Sequence, residues 1–363
     1  MQGGGFPVLR NASRYRRLSV PPAGAAESKP TGSVTSLVNS PSRRSLSTPE
    51  GGILTSTVRS VFYPMGFCVE VETNSPDVMA AARTGWERYP RLSQGAPVRL
   101  RITVSAGSAE ASRSPPNVAF DAAWMYVDHG PDNRAVACLT EGWGEANLSA
   151  DLASDADYVR YHFLEPLAYL LLAPRHFAFA HASCVALNGR AIVLCGEGNA
   201  GKTCLAFACA RRGWTYLSGD ATHFLHDSPD FTLVGRPFSI RFRESARDLF
   251  PELEAYPAAL RPNQRLSIEA DTGKLNLATA ITARARHLVF LERRPAGAAV
   301  VEPIPVEETL RRLDAAVFFG NEAIRRNQRA TLRHFASLPS VLLRYSDLAE
   351  AEAALRALPV DEA

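Results

Sequence analysis

Long apolar runs are missing from this sequence of 363 residues. The densest, Leu167 to Ala173, is closed by Pro166 and Pro174 and falls far short of the roughly twenty residues that a membrane helix needs. No membrane partner is expected. A surplus of charge is missing too: 40 basic side chains against 37 acidic ones leave a formal net charge of +3, which provides no electrostatic ground for a nucleic-acid partner. Paired cysteines are absent. Cys68, Cys138, Cys184, Cys195, Cys204 and Cys209 include no C-x-x-C, whereas a zinc site wants tighter spacing and histidine partners. Thiols scattered through apolar segments read as buried and free, which suits a reducing, cytoplasmic compartment.

What remains is a globular composition, 46% hydrophobic and 21% charged, over a length that accommodates two domains. Residues 1–56 are rich in Ser, Arg, Gly and Pro without apolar periodicity, so a disordered tail is expected there. Arginine and serine with few acids is also the texture of an organellar transit peptide or of an upstream start-codon extension.

Residues 57–173 are expected to form a small α+β domain with an antiparallel sheet and a connecting helix. Apolar alternation begins at Val58, Val61 and Phe62. Ser75-Pro76-Asp77 then starts a helix, with Ser75 as N-cap and Pro76 in the first turn. Strand patterns follow at Val98–Val104, Val118–Phe120, Trp124–Val127 and Ala135–Leu139, punctuated by Ser114-Pro115-Pro116 and Gly130-Pro131-Asp132-Asn133. Asp128 and His129, beside that second turn, read as solvated. A helix is expected from about Asp155 to Leu172.

Residues 174–363 carry the chemistry. Gly196-Glu197-Gly198-Asn199-Ala200-Gly201-Lys202-Thr203 fits G-x-x-x-x-G-K-[ST], with the apolar strand Arg190–Cys195 before it and a helix from Lys202 to about Arg212, closed by Gly213, after it. Small residues let successive backbone N–H groups converge on phosphate oxygens, and the helix N-terminus adds its positive end. Lys202 would reach the β- and γ-phosphates, and the Thr203 hydroxyl would be a ligand of Mg²⁺. A plain glycine-rich turn is the bland alternative.

The surroundings narrow this. Asn188-Gly189 is a type I′ hairpin signal, so the strand entering the loop is expected to pair antiparallel with the preceding run, Phe177–Leu187. Trp214–Leu217 is a short strand ending in Ser218-Gly219-Asp220, where a Walker-B-type metal ligand belongs; Asp220 is that ligand or a turn aspartate. A second hairpin joins His223–His226 to Phe231–Val234. Phe238–Arg243 alternates as an exposed strand, putting Arg241 and Arg243 on one face, as a clamp for phosphate or an acidic substrate or as ordinary surface arginines. Beyond lie a helix from Glu244 to Leu249, a proline-broken loop, a strand at Ala283–Leu291, helices at Val306–Phe319 and Asn321–Leu338, a strand at Val341–Tyr345 and a helix at Ser346–Leu358.

His181-Ala182-Ser183, Asn188-Gly189, Gly196 to Thr203 and Ser218-Gly219-Asp220, in that order, make residues 174–295 resemble the C-terminal catalytic domain of HPr kinase/phosphorylase and related HPr-kinase-like proteins. The resemblance implies an α/β P-loop domain with a mixed, partly antiparallel sheet, like that of phosphoenolpyruvate carboxykinase. It further implies ATP, Mg²⁺ and transfer of phosphate to a serine hydroxyl of a small protein or peptide. Lys202, His181 and Asp220 would be the catalytic residues, with Thr203 and Asp220 on the metal. His181 matches a family histidine beside the transferring phosphate; a core histidine is the alternative. The family has paired aspartates where this chain reads Gly219-Asp220, so one carboxylate is missing. An ATP-binding sensor without phosphotransfer, or a small-molecule kinase, are the other readings. A homo-oligomer stays open.

Overall fold

The computed structural model describes residues 56–107, 114–262 and 264–359. The expected tail at residues 1–56 lies, save for Ser56, outside the described residues. The fold is α/β, with mixed, partly antiparallel sheets. Among the described residues no helix is long and apolar enough to cross a membrane.

The first sheet runs through β1 (Val58–Phe62), β2 (Val69–Thr73), α1 (Pro76–Trp86), β3 (Val98–Ser105), β4 (Asn117–Asp121), β5 (Trp124–Asp128), β6 (Arg134–Cys138) and β7 (Trp143–Ser149). Helix α1 starts as its sequence dictates: the Ser75 side chain accepts from the Val78 N–H and Pro76 opens the first turn. The strand order is β1-β2-β3-β7-β6-β5-β4. This corrects the antiparallel expectation, because β2, β3 and β7 run parallel. The crossover through α1 turns the chain back in the same direction, and β7 inserts beside β3 after the meander β4–β6.

Helical turns α2 (Ala150–Ala153) and α3 (Ala156–Val159), a π-turn at Arg160–Leu164 and α4 (Glu165–His176) follow. The helical segment is therefore longer than expected at both ends. Pro166 sits in the first turn of α4, where no N–H is needed, and Pro174 lies inside its last turn. One core packs the first sheet, α1 and α4 together with Phe177, Phe179, Ala221 and Val234 from further along the chain.

The second sheet takes β8 (Phe177–Ala180), β9 (Ser183–Leu187), β10 (Arg190–Cys195), then, past α5 (Lys202–Arg211), β11 (Thr215–Ser218), β12 (Thr222–Leu225) and β13 (Thr232–Val234). A three-stranded sheet of β14 (Ser239–Phe242), β15 (Ala258–Leu260) and β16 (Leu266–Asp271) interrupts it. The chain returns with β17 (Thr282–Arg293), β18 (Val300–Pro303), α6 (Val306–Asp314), α7 (Glu322–Phe335), β19 (Ser340–Tyr345) and α8 (Leu348–Arg356).

Strand β10 is the axis of this sheet. It pairs antiparallel with β9 through the Asn188-Gly189 turn, whose φ values of +52° and +76° are those the turn requires, and parallel with β17 on its other side. Its residues alternate between two cores, Ile192 and Leu194 in one and Ala191, Val193 and Cys195 in the other. Both faces are dry, which is why it reads as a continuous apolar run.

Several expectations are corrected here. Phe177–Leu187 is not one strand: it breaks at His181-Ala182, so that β8 pairs with β12 while β9 pairs with β10 and β11. Glu244–Asp248 is a 3₁₀ turn. Ile240 and Phe242 of β14 are buried, so the strand is exposed on one face only. The helix from Val306 ends at Asp314, and Asn321 caps the next by accepting from the Ile324 N–H. Cys68 and Cys204 are half-buried, and the other four thiols are buried and free.

Candidate functional site

Between β10 and α5 the backbone takes three left-handed steps, at Gly196 (φ +146°), Asn199 (+73°) and Gly201 (+86°). Glycine at 201 is required twice over, since a Cβ there would run into the Tyr345 hydroxyl. That hydroxyl donates to the Ala200 carbonyl at 2.7 Å and so holds the loop from β19. The Lys202 side chain folds back along the loop, donating to the Gly196 and Glu197 carbonyls at 2.7 and 3.0 Å. Its ammonium group is thereby held against the loop, with 6% of the residue exposed.

The Gly219 carbonyl is a knot. It accepts from Thr203 Oγ1 at 3.0 Å and from Ser183 Oγ at 2.6 Å, tying α5 and β9 to the end of β11. One residue on, the Asp220 carbonyl lies 2.7 Å from His181 Nδ1. A carbonyl only accepts, so the neutral ring carries its proton on Nδ1. The break between β8 and β9 is what frees His181 from the ladder to make this bond.

His181, Gly198, Asn199, Gly201, Lys202, Thr203 and Asp220 border one cavity of about 850 Å³. Gly196, Glu197 and Ala200 do not line it; they shape the loop behind. The same cavity is lined by Arg236, Arg241, Arg243, Arg261, Arg265 and Arg293. Seven cationic side chains thus border it, against the three carboxylates of Asp220, Glu244 and Asp248. Such a surplus in a partly enclosed space attracts anions.

Two glutamates, Glu165 buried and Glu269 half-buried, organise the arginines. Glu165 meets Arg236 at 2.9 Å and Arg160 at 3.4 Å. Glu269 meets Arg241 at 3.2 Å, Arg261 at 3.4 Å and Arg160 at 3.9 Å. Burial alone would raise the pKa of Glu269, but the guanidinium groups of Arg241, Arg160 and Arg261 more than reverse it and hold it at about 2. Burial likewise disfavours the charge on Arg236, yet Glu165 keeps its pKa well above the ordinary value. Glu269 and Arg236 are thus held in their charged forms.

Tyr216 explains the glycine at 219. An ideal Cβ on Gly219 would lie 2.6 Å from the Tyr216 hydroxyl, which is itself buried and within 3.4 Å of the Ser239 carbonyl as donor. Burial pushes its pKa well up, so it stays a neutral phenol. The room that a second carboxylate would need holds this ring.

Among the described residues no group of three or more His, Cys, Asp and Glu side chains could hold a metal ion. The hard oxygen donors beside the loop are the Thr203 hydroxyl and the Asp220 carboxylate. A Mg²⁺ held there would have these two as its protein ligands and would complete its shell with waters and ligand oxygens.

Sequence reasoning singled out Arg241 and Arg243 but missed Arg236, Arg261, Arg265, Arg293 and Tyr216. They come from separate segments and no motif joins them. Only the alternation of β14 gave a local signal.

No family model matches the chain, and no curated protein matches it. A solved structure with some likeness is the Hpr(Ser) kinase/phosphatase from Coxiella burnetii, at 12% identity and a TM-score of 0.27, covering 49% of this chain and 93% of that one. At that TM-score the likeness carries no argument about the site.

Proposed function

We propose that the chain is an ATP-dependent kinase that transfers the γ-phosphate to a serine hydroxyl of a small protein or peptide, with Gly196–Thr203 as its P-loop. One observation carries the reading: Lys202, Thr203, His181 and Asp220, drawn from three stretches of sequence, border a single cationic cavity. In this reading the loop N–H groups and the start of α5 bind the phosphates, and Lys202 exchanges its carbonyl partners for phosphate oxygens. Thr203 and Asp220 would hold Mg²⁺, which supplies charge neutralisation. The acceptor oxygen bonds to the γ-phosphorus as the bond to the ADP oxygen breaks, and the acceptor proton passes to the Asp220 carboxylate. His181, oriented by the Asp220 carbonyl, donates to the phosphoryl group in its charged form. Positioning and charge stabilisation dominate such transfers, so one carboxylate suffices. The reaction belongs to the cytoplasm in this reading.

The test is label transfer from γ-labelled ATP in extracts of the native host. A labelled acceptor with the wild type, and its loss with Lys202→Ala, is expected; no acceptor, or undiminished labelling by the variant, contradicts the reading. The Tyr216 ring in the space beside Gly219 favours a second reading, an ATP-binding sensor that transfers nothing. Tight Mg²⁺-ATP binding with no ADP formed under any acceptor condition selects it.

A further inference from the structure

We infer that the cavity wall built by β14, the turn after it and the arginines Arg261 and Arg265 that flank β15 and β16 is a docking site for an acidic peptide segment that also carries an apolar side chain. That this segment belongs to the phosphate acceptor rests on the kinase reading; the docking itself does not.

The wall supplies Arg241, Arg243, Arg261 and Arg265 to the cavity. Two of them are fixed in direction, Arg241 and Arg261, both held by Glu269. Fixed guanidinium planes are suited to bidentate recognition of carboxylates. Arg243 is exposed, and among the described residues it makes no ion pair. Of the two acids on this wall, Glu244 is engaged by Arg247 at 3.2 Å. Arg243 therefore presents its charge to a ligand, beside the guanidinium groups that Glu269 holds in place.

Charge alone would suit any polyanion, and the leucines decide between them. Leu249 and Leu266 line the same cavity although 40% and 48% exposed. Leu260, directly opposite Leu266 in the β15–β16 pairing, is 63% exposed. Three of the four exposed leucines among the described residues thus gather at this rim. A sugar–phosphate backbone has nothing to bury on them. A peptide with aspartate or glutamate beside leucine or phenylalanine covers both kinds of group, and burying the leucines strengthens the docking.

Fluorescence anisotropy with the full chain tests this, using a labelled peptide of about ten residues with Asp and Glu around a central serine and one leucine. Its counterpart carries Asn and Gln at the acidic positions. The acidic peptide is expected to bind at least about tenfold more tightly, with the advantage shrinking in about 0.5 M salt. Arg243→Glu should abolish the preference, Arg243→Gln should weaken it, and Leu266→Ser should lower affinity for both peptides. Arg243 is on the surface, so circular dichroism of both variants should match the wild type. Equal binding of the two peptides, an Arg243→Glu variant that keeps the preference, or an oligothymidylate that binds as tightly as the acidic peptide overturns the inference. A parallel Mg²⁺-ATP titration separates the two claims. Docking without ATP binding overturns the kinase reading alone, and ATP binding without docking overturns this inference alone.

Discussion

Burial sets apart two of the arginine–glutamate networks among the described residues. On the first sheet Arg59, Glu72, Arg101 and Glu145 stand in register across β1, β2, β3 and β7, a cross-strand row of alternating charge. The contacts are 2.7, 3.2 and 3.5 Å, and the arginine side chains are about 60% exposed. At the cavity, Arg160, Arg236, Arg241 and Arg261 are no more than 20% exposed, and Glu165 is 2% exposed. The chemistry is the same in both. Water screens the first, so each pair adds at most about 1 kcal/mol. The second is largely shielded from water, so it holds the cavity arginines in place, and losing one member costs more than it does on the first sheet.

The largest expected contrast follows from that difference. Glu165→Ala removes the buried carboxylate that Arg236 and Arg160 both meet and should lower unfolding free energy by about 3–5 kcal/mol, whereas Glu72→Ala should change it by less than about 1 kcal/mol. Urea denaturation measures both. Comparable losses would erase the distinction between the networks.

Acid should reach the interior first. Burial drives His223 down to about 3 and His162 to about 4, so both stay neutral in the folded chain. Unfolded histidines take up protons near pH 6.5, so stability is fully present above that value and falls as pH drops toward 4. At pH 5 each histidine should contribute a loss of about 2 kcal/mol. Glu269, held at about 2, and Glu72, also held low, stay charged through this window. Melting temperatures that stay flat from pH 7 to about pH 4 would contradict this.

A smaller effect is expected at the edge of the cavity. Gly219→Asp meets the Tyr216 hydroxyl and should destabilise by about 1–3 kcal/mol, and pairing it with Tyr216→Phe, which removes that oxygen, should recover much of the loss. Thermal melts of the single and double variants decide it. A Gly219→Asp protein as stable as the wild type would show that the ring moves aside freely.

Local signals were legible where one segment determines its own shape. The Ser75 cap, the Asn188-Gly189 turn and the glycines of the Gly196–Thr203 loop each impose a backbone conformation that no distant contact has to supply. Pairing was less legible. β7, β15, β16 and β18 are short or half-exposed and carry weak patterns, and the parallel alignment of β2, β3 and β7 depends on which strands meet, not on any one of them. His181 looked like the middle of a strand because Phe177–Leu187 is apolar throughout, yet its two ends pair with different strands, β12 on one side and β10 and β11 on the other. The cationic wall was hidden for the same reason: Arg236, Arg261, Arg265 and Arg293 become one surface only when β14, the small sheet and β17 are brought round the loop.

The central claim is that Gly196–Thr203 seats ATP with Lys202 on its phosphates. Calorimetric titration of the full chain with Mg²⁺-ATP, beside Lys202→Ala, tests it most directly. The account predicts saturable binding by the wild type and affinity at least about tenfold weaker in the variant, a loss of about 1.4 kcal/mol or more. No binding by the wild type at millimolar ATP, or equal affinity in the two proteins, would contradict it.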